Sequence, residues 1–194
     1  MTRTVEAFSE YEDSGVEHLG RVPAHWEVRR ISTLAGLLNG GTPSSANPAY
    51  WGGDVPWITP TDLGRLQGHR VRETARTLTK AGYEACGASM APTGSLALST
   101  RAPIGHLGIL GQPACTNQGC RLLVPNDSID SHFLYHALAT FRAEIRALGQ
   151  GSTFTELSRE HLAAFRISLP PLPEQTAIGR FLDHVDRAPT AGQS

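Results

Sequence analysis

Glycine and proline interrupt this chain so often that most of it can form only short elements: 20 Gly and 13 Pro stand among 194 residues. Gly weakens helix and strand interiors and Pro removes a backbone donor, so the pieces between them favour turns, loops and short strands. The length supports one domain with a real core, or one domain and a short appendage, and excludes a self-contained two-domain enzyme. Hydrophobic residues at 40% and charged residues at 18% mark a globular composition, neither disordered nor collagenous. No window approaches about 18 consecutive apolar residues, and residues 1–17 hold no basic stretch followed by an apolar one. Neither a membrane span nor a signal peptide is expected, and the protein is read as cytoplasmic.

The first 20 residues form an acidic lead-in, expected to be loose over about the first 15, with order starting near Trp26. Residues 26–35 carry Val28, Ile31, Leu34 and Ala35, a spacing that suits a short helix or a strand running into the turn Asn39-Gly40-Gly41-Thr42-Pro43. Residues 55–59 predict a strand, with Pro56 placing it at an edge or a strand start. Thr79 predicts the N-cap of a short helix reaching Ala85. Residues 95–99 and 104–110 predict a β-hairpin across Thr100-Arg101-Ala102-Pro103, and residues 119–124 a further strand.

The period then changes. Leu134, Leu138, Phe141, Ile145 and Leu148 recur at helical spacing and predict one amphipathic helix over 131–148, stopping at Gly149. Gln150-Gly151-Ser152-Thr153 reads as a loop, 158–162 as the start of a short helix and 165–169 as a final strand. Pro170-Pro171-Leu172-Pro173-Glu174 then opens the clearest element, because proline and an acid are favoured in a helix's first turn. Its stripe is Ile178, Phe181, Leu182 and Val185, with Leu172 at its start. Sixteen helical residues span roughly 24 Å and are marginal alone in water. The stripe therefore packs on the domain or on a partner, and the stiff proline-rich departure favours a partner. The expected fold class is α/β (α+β): a mixed domain of short strands and helices followed by one projecting C-terminal helix. The boundaries are a lead-in at 1–20, the domain at 21–169, the helix at 170–188 and a tail at 189–194.

A formal charge of −1 looks poor for a nucleic-acid binder, but residues 21–121 carry nine Arg and Lys80 against five acids. Sixteen of the 17 cations are Arg, whose planar fork grips phosphate or a guanine edge bidentately; a GC-rich genome would produce the same bias. Cys86, Cys115 and Cys120 fit neither a disulfide framework nor a zinc spacing and read as thiols for burial. No P-loop or dinucleotide motif occurs. His132 and His136, one turn apart, could share a metal, but no acid stands between them, and the pair reads as helix surface, so no metal is expected. Cys120 opens an apolar strand, which favours a buried thiol over a nucleophile. Binding chemistry is richer. Polar loops at 42–47, 65–76, 99–101 and 150–153 carry the donors and acceptors used on phosphates and base edges. The second holds Arg65, Arg70, Arg72 and Arg76 with Gln67 and His69, although a merely solvated loop would look the same.

Several strings, taken in order, resemble one family. Tyr11-Glu12-Asp13-Ser14-Gly15-Val16-Glu17-His18-Leu19-Gly20 with Val22-Pro23-Ala24-His25-Trp26 resembles the start of the specificity subunit of type I restriction-modification systems. Gly40-Gly41-Thr42-Pro43, Tyr50-Trp51-Gly52-Gly53 with Val55-Pro56-Trp57-Ile58, Gly94-Ser95-Leu96-Ala97-Leu98-Ser99-Thr100, Thr116-Asn117-Gln118-Gly119-Cys120 and Gly151-Ser152-Thr153 resemble its target-recognition domain. Leu169-Pro170-Pro171-Leu172-Pro173-Glu174-Gln175 resembles the start of its spacer helix.

The resemblance implies a non-catalytic reader of double-stranded DNA, with one recognition domain for half of a split site. It implies methyltransferase subunits that hold S-adenosylmethionine and restriction subunits as partners, with no cofactor in the chain itself. With one recognition domain and part of one spacer helix, the chain looks like a half-subunit: a truncated gene product, a fragment, or a natural half that pairs with a copy of itself, in which case the symmetric homodimer would read an inverted repeat. The residues expected on DNA are Arg65, Gln67, Arg70, Thr100, Arg101, Asn117, Gln118, Ser152 and Thr153. Leu172, Ile178, Phe181, Leu182 and Val185 are expected on a partner helix. Two rivals differ in class: an assembly module that occupies the methyltransferase without reading DNA, and a cysteine hydrolase using Cys120.

Overall fold

The computed structural model describes residues 10–149 and 155–187. In chain order the strands and helices are β1 (Tyr11–Asp13), β2 (Arg21–Pro23), β3 (Glu27–Arg30), β4 (Ala35–Asn39), β5 (Trp51–Ile58), α1 (Pro60–Gly64), β6 (Arg70–Val71), β7 (Thr77–Leu78), α2 (Lys80–Cys86), β8 (Leu96–Ser99), β9 (Leu107–Leu110), β10 (Cys115–Thr116), β11 (Cys120–Pro125), α3 (Ser131–Thr140), α4 (Arg142–Leu148), α5 (Arg159–Ala164), β12 (Arg166–Leu169) and α6 (Leu172–Arg187). The mixed strand-and-helix class expected from the sequence holds. None of the described helices is long and apolar enough to cross a membrane.

The central sheet has five strands in the order β4-β11-β8-β9-β6, antiparallel except for the β9/β6 edge. Its middle strands are apolar without polar alternation because both faces are covered. Successive side chains point to opposite faces. Leu96, Leu98, Leu107, Ile109 and Leu123 therefore join Phe133, Leu134, Leu138 and Ile145 in one core. Ala97, Leu110, Cys120 and Leu122 join Ile58, Leu63 and Val71 in another. A small sheet in the order β10-β5-β7 covers a third cluster around Trp57, Leu78 and Cys115.

Several local expectations change in the fold. Order begins by Tyr11 rather than near Trp26, because β1 pairs antiparallel with β2, Tyr11 opposite Pro23. The ambiguous segment after Trp26 is a strand, β3, followed by a single 3-10 turn over Ile31–Thr33 that buries Ile31, with Leu34 buried next to it. Strand β3 pairs with β12, which ties the front of the domain to its end. Pro56 lies in the middle strand of the small sheet, not at its edge. Its missing N–H is tolerated because β10 pairs only with Trp57 and Ile58, while Pro56 stands opposite Thr77 of β7.

The single helix expected over 131–148 is two, α3 and α4, broken at Phe141 with ψ +29. Thr140 Oγ1 donates to the His136 carbonyl one turn back, a back-bond that bends helices. Helix α6 does not project freely; it lies against α3. Gly179 allows this approach, since a Cβ there would stand 3.0 Å from His132 Cβ and from the Phe133 nitrogen. The docked face is polar: Gln175, Gly179 and Asp183, at i, i+4 and i+8, are buried. Gln175 Nε2 donates to the Ser128 and Pro170 carbonyls, and its Oε1 accepts from the Asp130 nitrogen. Ile178 and Leu182 are half-buried, whereas Leu172 at 44%, Phe181 at 66% and Val185 at 49% exposure face outward. The five-residue stripe is thus split between domain and surface.

Candidate nucleic-acid interface

Strand direction decides which loops can act together. Cys120 of β11 stands opposite Ser99 of β8, Leu107 of β9 opposite Leu98, and Asn39 of β4 opposite Arg121. Strand β6 runs parallel to β9, with Arg70 level with Ile109, so residues 67–69 lie level with the start of β9. One end of the sheet therefore carries the exit of β4, the approach to β6, the β8–β9 connection and the turn before β11. The Ile58 carbonyl accepts from the Asn117 nitrogen, which brings the start of α1 to the same end. A capping box between Thr59 and Asp62 fixes that helix start: Thr59 Oγ1 accepts from the Asp62 nitrogen at 3.3 Å, and the Asp62 carboxylate accepts from the Thr59 nitrogen at 2.8 Å.

The expected DNA-contacting residues divide on this frame. Arg65 and Gln67 are exposed and Arg70 is half-buried; all three line an open cleft of about 790 Å³ with Arg72, Glu73 and Asp186 among its other walls. Arg101 is exposed at the hairpin connection, its Nε donating to Glu156 at 3.1 Å. Gln118 is exposed, and its Oε1 accepts from Thr42 Oγ1. Asn117 is half-buried and shapes the turn: its Oδ1 accepts from the Gly119 nitrogen at 3.0 Å. Thr100, unlike Arg101, is buried. It is 0% exposed, its nitrogen donates to the Gly119 carbonyl and its carbonyl accepts from Leu157, so it supports the loops from beneath. Ser152 and Thr153 lie outside the described residues. The segments flanking them reach this end of the sheet, since Glu156 pairs with Arg101 and a Cβ on Gly149 would stand 3.2 Å from the Leu157 nitrogen.

The structure also adds cations that sequence reading missed. Arg142 and Arg146 of α4 reach His106 in the hairpin connection, and that imidazole's pKa is lowered first by burial and then by these two guanidiniums. A Cβ on Gly105, next to His106, would stand 2.9 Å from Arg142 Cγ and 3.5 Å from Arg146 Cγ, and the His106 ring lies 3.5 Å from where a Cβ on Gly64 of α1 would be. Arg121 donates to Asn39 Oδ1; its pKa is lowered by burial and by Arg159, with Glu156 and Glu160 opposing. No signal in the one-dimensional pattern joins Arg121, Arg142 and Arg146 to the arginine-rich loop. Conversely, Arg76 is drawn away from the cleft and stacks 3.4 Å over the Trp51 ring.

Burial and the charge of nearby Asp62 push the Cys120 thiol up, and burial pushes Cys115 up to about 12. Neither supplies a thiolate near neutral pH. Iodoacetamide on the folded chain is expected to modify only the half-buried Cys86, with all three thiols reacting after unfolding; intact-mass spectrometry counts the adducts. Rapid labelling of Cys120 in the native state would contradict the packing described.

These features define a class of protein: a doubly covered sheet presenting polar, cationic loops from one end, with a flanking helix that shows apolar side chains outward. The chain belongs to the type I restriction modification DNA specificity family, whose family model matches residues 23–193. It is 35% identical over 170 residues to the MjaIX type I restriction enzyme specificity subunit of Methanocaldococcus jannaschii, covering 87% of this chain and 39% of that protein. It is 26% identical over 167 residues to the EcoR124I/EcoR124II specificity subunit of Escherichia coli, covering 82% and 41%. The HsdS subunit from Thermoanaerobacter tengcongensis shares the fold, with a TM-score of 0.67 at 22% identity over 91% of this chain and 40% of that one. The chain spans about two fifths of the length of these relatives.

Proposed function

We propose that this chain is the DNA-reading part of a type I restriction-modification complex. Its domain at 21–169 recognises one half of a bipartite double-stranded site, and α6 joins it to a methyltransferase subunit that holds S-adenosylmethionine and to a restriction subunit. The observation that carries this reading is the convergence of the polar loops at one end of the five-stranded sheet. A major groove about 12 Å wide admits such a cluster. Arg65, Gln67, Arg70, Arg101 and Gln118 reach base edges or phosphates from it, joined by Ser152 and Thr153, while Asn117 sets the turn that presents Gln118. Arg142 and Arg146 add phosphate contacts at the flank. The exposed guanidiniums explain how a chain of net charge −1 still presents a cationic surface.

The test uses the chain assembled with its methyltransferase subunit. Exchanging residues 40–155 for those of a relative with a different target is expected to change the methylated half-site, read by mapping modified bases genome-wide. Arg70→Ala and Arg101→Ala are each expected to weaken binding to the cognate site by about 10–100-fold, since a bidentate arginine contributes roughly 1–3 kcal/mol of discrimination. An unchanged methylation pattern after the exchange would refute the reading.

A further inference from the structure

Where α6 meets α3 and the start of β6, three imidazoles converge on one carboxylate. Asp183 Oδ2 lies 2.6 Å from His132 Nδ1, and its Oδ1 lies 2.9 Å from His136 Nε2 and 3.4 Å from His69 Nε2. His69, His136 and Asp183 are buried. One His–Asp bond would satisfy this carboxylate and pin the helix. Three imidazoles from two other elements form a donor set beyond that need.

We propose that His69, His132 and Asp183 bind a divalent transition metal of the zinc class, which pins α6 to α3 and to the approach of β6. Their ligand atoms all lie within 4.8 Å of one another. A tetrahedral zinc with bonds of about 2.0–2.1 Å spaces its donors roughly 3.3 Å apart, so small rotamer adjustments close the site. Two imidazoles and one carboxylate suit zinc, cobalt, nickel or copper; magnesium and calcium prefer oxygen cages. His136 acts as the orienting neighbour: its Nε2 holds Asp183 Oδ1 while its Nδ1 stands 3.9 Å from Asp186. The cleft lined by His69 and Asp186 offers an access route and room for a water as fourth ligand. Arg70 Nη2, which lines this cleft, stands 3.4 Å from His132 Nε2, the ring nitrogen left to carry the proton when a metal sits on Nδ1.

The experiment titrates tag-free, chelator-stripped full-length chain with Co(II) and then Zn(II). One Co(II) per chain is expected, with the visible ligand-field bands of a four-coordinate nitrogen and oxygen site, displaced by one Zn(II). A hundredfold excess of free zinc over its Kd is expected to raise the unfolding midpoint by about 5–10 °C. His132→Gln and Asp183→Asn should each weaken binding by more than ~100-fold and His136→Gln by about 10–100-fold, whereas the exposed His184→Gln leaves it unchanged. Circular dichroism confirms that the variants fold. The proposal falls if the wild-type chain takes up no cobalt, if thiolate charge-transfer bands show cysteine ligation, or if the folded His132 and Asp183 variants bind as tightly as the wild type.

Discussion

Gly40→Ala is expected to lower the unfolding midpoint by roughly 10 °C, a loss of about 3–5 kcal/mol. A Cβ at Gly40 would stand 1.9 Å from the Asn117 carbonyl oxygen and 2.5 Å from Thr116 Oγ1. The nearest obstruction is backbone, so no side-chain rotation relieves it. That backbone belongs to the turn before β11, which also receives the Gly41 nitrogen at the Thr116 carbonyl, and the Gly41 carbonyl in turn accepts from Trp57 Nε1 at 2.8 Å. The added methyl therefore pushes apart three segments that form one end of the sheet. Gly36→Ala, four residues earlier and on β4, is the control. Its Cβ would meet nothing closer than 3.9 Å, and it is expected to be neutral or stabilising by about 0.4–1 kcal/mol through the unfolded chain. Calorimetric melts of the two variants decide the matter; equal midpoints would contradict the close approach at Gly40.

The second large effect concerns association and not folding. In the proposed complex, Phe181→Asp combined with Val185→Asp is expected to weaken binding to the methyltransferase subunit by about 10²–10⁴-fold, since full burial of each side chain contributes about 1.5–3 kcal/mol. Both side chains are already solvent-exposed in the isolated chain, so the same variant should melt within about 2 °C of the wild type. Co-purification and calorimetric titration against the subunit measure the first quantity, and thermal melting the second. If association survives intact, α6 does not use this face. If the chain unfolds instead, the exposed apolar residues support the domain in a way the packing does not show.

Local patterns were well encoded. Thr79 and Ser158 each accept from a backbone nitrogen three residues on, at Gly82 and His161, as their places before helical stretches imply. The hairpin at Thr100-Arg101-Ala102-Pro103, the strand after Gly119 and the C-terminal helix bounded by Leu172–Arg187 follow from turn residues, period and proline placement, all properties of neighbours along the chain. The ordered motifs also identified the family. Less legible was the fate of single polar side chains. Thr100 and Arg101 are adjacent and both suit a nucleic-acid contact by type, yet the first is sealed under Gly119 and Leu157 while the second is exposed. His132 and His136 looked like helix surface because their partner, Asp183, lies about fifty positions later.

From its sequence alone this chain determined several of its strands and helices, the cap at Thr79, and which family it belongs to, because periodicity, capping and motif order act over a few residues. Only the tertiary structure decided that the polar loops share one end of the sheet, that α6 docks by its polar face and leaves Phe181 and Val185 outward, and that three histidines gather on one carboxylate. Those outcomes depend on strand register and on close backbone approach at Gly40 and Gly179, where groups distant in the chain compete for the same space.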